Sequence, residues 1–191
     1  HIVDVLDSKR IALVINTGSG TLQLQGTIGG TNPVTTLAIN STNGSAGTIE
    51  IVGIGDSDTA GATGAATVGN TATTTLTLDG TVYSTDNSQT YVASATGDDS
   101  GQNIDITGAA TFTTTNDAVA FNTSGVDLAN NGTTTINTGT GIGDVSFAGA
   151  LESNGGSNDL LVITSGAGDV TFTGAVGATN ALGGLDINSS A

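Results

Sequence analysis

The sequence predicts an all-β chain wound as a right-handed parallel β-helix of about seven rungs, a single β-solenoid domain over residues 1–191. Three observations predict it. Apolar-x-apolar pairs, mostly followed by Gly, recur at intervals near twenty-five residues. The apolar residues are mostly Val, Ile, Leu and Ala, an inventory suited to strands and to a narrow core. No apolar stripe at i, i+3, i+4 persists for three turns, so no helix is expected.

The pairs come in chain order as Leu22 and Leu24 before Gly26, Ile49 and Ile51 before Gly53, and Leu76 and Leu78 before Gly80. They continue as Ile104 and Ile106 before Gly108, Val145 and Phe147 before Gly149, and Val170 and Phe172 before Gly174. A further copy, Val126 and Leu128, ends in Asn130, the residue type after Gly that best tolerates positive φ. Successive starts lie 27, 27, 28, 22, 19 and 25 residues apart. Alternation at period two sends the pair inward and the middle residue outward, and Gly turns the corner. The column of outward middle residues then reads Gln23, Glu50, Thr77, Asp105, Asp127, Ser146 and Thr171. Seven rungs at about 4.8 Å give a rod of roughly 30–35 Å. Parallel crossovers are right-handed in nearly all proteins, which sets the expected hand.

A second motif lies between these copies. It reads Leu13, Ile15, Asn16; Leu37, Ile39, Asn40; and Leu185, Ile187, Asn188, with looser versions at Ile136-Asn137 and Phe121-Asn122. Residues 13–41 align without gaps to 161–189, and "GDVSFAGAL" from Gly143 returns as "GDVTFTGAV" from Gly168. The Asn column (Asn16, Asn40, Asn137, Asn188) is expected to form an internal hydrogen-bonded ladder. Residues 54–74 fit the pattern worst and are expected to loop out, and residues 1–12 are a candidate strand for exchange between subunits. A β-sandwich, pilin-like subunit is the rival fold; it would not need the 25-residue register.

With 30 Gly, one Pro and six aromatics, the chain cannot fill a wide core, yet 36% hydrophobic content argues against disorder. The formal charge is −15, and Lys9 and Arg10 are the only basic side chains. Nucleic acid is therefore excluded as a partner, because phosphate contacts need Lys and Arg. No apolar run reaches the roughly 18 residues of a membrane span. The absence of Cys fits a secreted protein that avoids disulfide chemistry. No signal peptide is visible and the chain begins at His1, so it reads as a processed product or an excised segment.

The repeat style, with "GDVTFTGAVG" followed by "LGGLDINSS", resembles the β-strand repeats of large bacterial surface proteins. It resembles in particular those of the filamentous-haemagglutinin-like and autotransporter-type adhesins. The resemblance covers nearly the whole chain but specifies no activity. It implies a right-handed parallel β-helix on the cell surface, working in adhesion or as matrix.

Residues for catalysis are few, and no enzymatic activity is expected. His1 is the sole histidine and there is no Cys, so neither a Ser-His-Asp triad nor thiol or Cys/His zinc chemistry has its residues. Paired carboxylates alone would suit a glycosidase, but acidic sugars call for Arg or Lys at the site. The glycine-rich stretch from Gly61 holds no G-x-x-x-x-G-K-[ST] and is read as a turn. Calcium is the one cofactor candidate. Asp144 over Asp169 and Asp105 over Asp127 would stack like charges unless a cation or water bridges them, and Asp56/Asp58 and Asp98/Asp99 form acidic turns. No dedicated calcium loop is present, and solvated turn formers are the plainer reading; equal thermal midpoints in calcium and in chelator would remove the cation. The outward column is too mixed and charged for a flat Thr plane that binds ice. The function expected is a non-enzymatic structural or adhesive solenoid, extracellular or on the cell surface. Its last motif stops at a rung edge, which favours end-to-end assembly into a filament, sheath or matrix. The partners expected are copies of itself or host and matrix glycans. A carbohydrate-binding or carbohydrate-cleaving β-helix module is the alternative.

Overall fold

A computed structural model describes residues 11–42, 44, 47–94, 103–129, 131–154 and 158–189. The described chain runs through β1 (Ala12–Ile15), β2 (Leu22–Leu24), β3 (Thr36–Ile39), β4 (Gly47–Ile51), β5 (Ala66–Gly69) and β6 (Thr73–Leu78). It continues through β7 (Val82–Ser84), β8 (Gln89–Val92), β9 (Ile104–Ile106), β10 (Thr111–Thr113), β11 (Val119–Asn122) and β12 (Gly125–Leu128). Then come β13 (Thr133–Asn137), β14 (Val145–Phe147), β15 (Ala150–Ser153), β16 (Leu160–Gly166), β17 (Val170–Phe172) and β18 (Gly184–Ser189). There is no helix among the described residues.

The strands stack as three parallel sheets. Face one is β1-β3-β5-β8-β11-β14-β17, face two is β2-β4-β6-β9-β12-β15, and face three is β7-β10-β13-β16-β18. Single bridges extend two faces: Ile28 to Ile54 to Tyr83 on face three, and Leu151 to Val176 on face two. The chain visits faces one, two and three in order and then climbs. It is a β-solenoid, not a sandwich. On face one the inward register passes through Leu13, Leu37, Ala66, Gln89, Val119, Val145 and Val170. These seven positions bracket six turns, so the molecule has about six turns where the motif count predicts seven rungs.

The difference has a physical cause. Apolar-x-apolar identifies an inward-facing strand but not which of three faces it builds. Five of the seven copies stack on face two, but Val145-Phe147 and Val170-Phe172 belong to face one, over Val119-Phe121. The odd spacing of 19 residues between Val126 and Val145 is a step from face two to the next visit to face one. On face two, Val126 is followed instead by Leu151. The match between residues 13–41 and 161–189 is likewise offset by a face: Leu13 lies on face one, Leu161 on face three.

Residues 54–74 do not loop out as a whole. Ile54 and Ala62 make bridges, residues 66–69 form β5 and residues 73–78 form β6. Ala66 and Val68 are buried, and only the corner around Asp56 to Ala60 widens. Small inward residues hide this strand from a search for large apolar pairs. Of the candidate exchanged strand, residues 1–10 lie outside the described residues; Ala12 sits in β1, paired to Thr36 of its own chain.

The core is one thin column of buried side chains from Leu22 to Ile163. On face one it changes character along the axis: Ile15, Ile39 and Val68 are followed by Tyr91, Phe121, Phe147 and Phe172. Successive rings of this series stack at centroid distances of 5.3, 4.9 and 5.2 Å. A second stack, Tyr83 on Phe112 at 4.9 Å, rises on face three and meets the first edge-on. The corner after face two is held tight by Gly80 and Gly108, because a Cβ at Gly80 would lie 1.9 Å from the Val52 carbonyl oxygen. One at Gly108 would lie 2.3 Å from that of Gly80.

Candidate functional site

Outward side chains decide what such a rod offers its surroundings. On face two the register aligns Gln23, Glu50, Thr77, Asp105, Asp127 and Glu152. Ser146 and Thr171 move from this column to face one, which leaves face two more acidic than expected. The face-one column reads Val14, Ala38, Thr67, Thr90, Ala120, Ser146 and Thr171, and no strand of that sheet carries a charge. Face three presents Ser84, Thr113, Asn137, Thr164 and Asn188 beside Val82, Thr111, Thr135, Val162 and Asp186. Charge therefore breaks up a regular hydroxyl plane chiefly on face two; face one carries small neutral side chains throughout, and face three does so up to Asp186 in β18.

The carboxylates act chiefly as hydrogen-bond acceptors that fix corners. Asp144 and Asp169 are brought together as predicted, and the Asp169 N–H donates to Asp144 Oδ1 at 2.9 Å. The stacking thus uses one carboxylate oxygen for the neighbouring backbone. Asp56 Oδ1 accepts the N–H groups of Asp58 and Thr59 at 2.9 and 2.6 Å, an Asx turn. Asp105 and Asp127 stand in register on face two as expected. Asp98 and Asp99 lie outside the described residues. Among the described residues, no three His, Cys, Asp or Glu side chains are grouped to hold a metal ion.

Two acidic residues that the sequence did not single out carry more structure than those it did. The buried Glu152 carboxylate accepts the N–H groups of Ala178, Thr179 and Asn180 at 3.2, 3.1 and 2.8 Å, which ties down the loop before β18. Asp159, also buried, accepts from the Ser153 hydroxyl and the Asn131 N–H at 2.6 and 2.7 Å. No motif announces either; each is an acidic residue that accepts from backbone N–H groups one turn away. The predicted Asn column splits. Asn16 and Asn40 belong to the corner after face one, while Asn137 and Asn188 align with Thr164 on face three. Asn40 Oδ1 accepts the Thr17 N–H at 2.7 Å, and Asn70 Nδ2 donates to the Asn40 carbonyl at 2.5 Å, so this corner is a local network.

The buried polar groups of the core are matched to one another. The Tyr83 hydroxyl donates to the Ile51 carbonyl and accepts the Gly80 N–H, both at 2.9 Å. The Tyr91 hydroxyl donates to Gln89 Oε1 at 2.9 Å, and Gln89 Nε2 donates to the carbonyls of Tyr83 and Thr113 at 2.9 and 2.8 Å. Burial pushes both phenols well above their ordinary range, with the nearby Asp79 charge adding to the effect at Tyr83. They are permanent donors within the fold. A scan against protein-family models and searches of curated proteins and of solved structures give no match.

The described residues thus present an acidic column on face two and, Asp186 apart, neutral columns on faces one and three. Of the seven exposed large hydrophobic residues among those described, five lie on the first and last described turns: Ile11, Val14, Val176, Leu185 and Ile187. Val14 is 59% exposed.

Proposed function

We propose that the chain is a non-enzymatic, extracellular structural or adhesive β-solenoid that assembles end to end. The observation that supports it most is the concentration of exposed apolar side chains on the first and last turns. There, among the described residues, β1, β2, β17 and β18 are each paired on one side only. An unpaired edge templates another strand, and a stacked repeat stabilises a copy through the same interface that joins its own turns. The charge of −15 tempers this assembly, because copies repel at low salt and approach as the Debye length shrinks to about 8 Å at physiological ionic strength. Sedimentation and negative-stain microscopy across a salt series test the reading. Rods that lengthen with concentration and with salt are expected; compact monomers under all conditions would end it. The neutral planes supply a second reading, the lateral binding of uncharged glycans by the Thr, Ser and Asn columns of face three. A glycan array with Thr113→Glu as the control variant addresses that reading.

A further inference from the structure

Glu152 breaks the pattern of its column. Period-two alternation points it outward from β15, yet it is only 3% exposed. Gln23, Glu50, Thr77, Asp105 and Asp127, in register with it on face two, are exposed or half-buried. Its cover is the loop that follows Val176. Val176 bridges Leu151 on face two, but the chain then leaves the sheet and curls over Glu152. The Ala178 N–H donates to Oε1 at 3.2 Å and the Asn180 N–H to Oε2 at 2.8 Å. The Thr179 N–H is shared between the two oxygens, at 3.3 and 3.1 Å. Three successive N–H groups converging on one anion make a backbone nest. The shape of that loop belongs to its own sequence. Gly29-Gly-Thr-Asn32 and Gly177-Ala-Thr-Asn180 are equivalent in the repeat, and their first glycines share positive φ, at 70° and 62°. Glu152 adds the anchor.

Among the described residues no basic side chain offsets this buried charge, since His1, Lys9 and Arg10 lie outside them. The titratable groups around Glu152 are carboxylates. Asp127 stands in register with it on β12, with Asp105 one turn further along. Asp159 accepts from the hydroxyl of the adjacent Ser153 at 2.6 Å. The loop itself, residues 175–183, brings no titratable side chain. An ionised carboxylate offers two acceptor oxygens to such a loop, whereas a carboxyl group commits one of them to its own proton. The proton and the loop therefore compete for Glu152.

We infer that Glu152 is an acid-released latch. Ionised, it holds loop 177–180 down on face two; protonated, it lets that loop lift while the turns beneath stay wound. Release also frees Leu182, which packs against the core from the same loop. The latch is closed above the range in which carboxylates titrate and opens as pH falls through it. Residue-resolved amide exchange on the full chain, corrected for the intrinsic effect of pH on exchange, reads this directly. Between about pH 7 and about pH 3, protection of the Ala178, Thr179 and Asn180 N–H groups is expected to fall about tenfold or more relative to β9 and β12. E152Q keeps the bulk of the side chain and removes its charge. At neutral pH its loop should already be as open as that of the wild type in acid, with no further response to pH. Wild-type protection that stays level with β9 and β12 across the range overturns the latch, whether or not E152Q folds. Full protection of the loop in E152Q at neutral pH does the same. An undiminished acid response in E152Q also overturns it, by placing the decisive proton on Asp127 or Asp159.

Discussion

Replacing Phe121 by Ala is expected to cost about 3–5 kcal/mol of folding stability, the usual range for a buried aromatic. At roughly 2–4 °C per kcal/mol for a chain of this size, the thermal midpoint should fall by roughly 6–20 °C. Phe121 is fully buried. Its ring stacks on Tyr91 at 5.3 Å and on Phe147 at 4.9 Å and meets Phe112 edge-on at 5.4 Å, so the cavity opens between turns that cannot collapse independently. Phe172 tops the same column with one ring neighbour and is only partly buried, so Phe172→Ala should cost much less. Paired thermal and urea melts give the comparison. Equal losses at the two positions would mean that the stack is not what holds these turns together.

Gln89→Leu is the second large effect, expected at about 2–4 kcal/mol. Leucine has nearly the same bulk, so the loss isolates hydrogen bonding. The Tyr91 hydroxyl would lose its acceptor, and the Tyr83 and Thr113 carbonyls would lose their amide donor in the buried core. An unmatched buried polar group costs about 1–3 kcal/mol, whereas removing both partners of a pair is far milder. Gln89→Leu combined with Tyr91→Phe should therefore be less destabilised than the two single changes added together. Additive losses in that double-mutant cycle would contradict the coupled network.

The sequence states the rung clearly and the face poorly. Leu22-Leu24, Ile49-Ile51, Leu76-Leu78 and Ile104-Ile106 stack as their spacing says, because turns between them differ little in length. Val145-Phe147 carries the same pattern and builds another sheet, since inward alternation is common to all three. The aromatic column stayed hidden because its members come from unlike contexts: Tyr91 and Phe121 sit in strands without the corner glycine. Gln89 faces inward from the position that Ala66 and Val119 fill on adjacent turns, and nothing local distinguishes it from a surface glutamine. The acidic stacking of Asp144 on Asp169 was legible from one exact repeat offset, whereas Glu152 is recognisable only once the loop it anchors is in place.

The change from Ile15, Ile39 and Val68 to Tyr91, Phe121, Phe147 and Phe172 along one face gives the rod a weak half and a strong half. Each turn of a solenoid is coupled only to its neighbours, so opening energies vary along the axis instead of averaging over the whole. Hydrogen exchange should therefore reach the amides of β3 and β5 before those of β11 and β14. A load applied along the axis would be shed first by the aliphatic turns, while the ring-stacked turns remained wound and able to template their recovery.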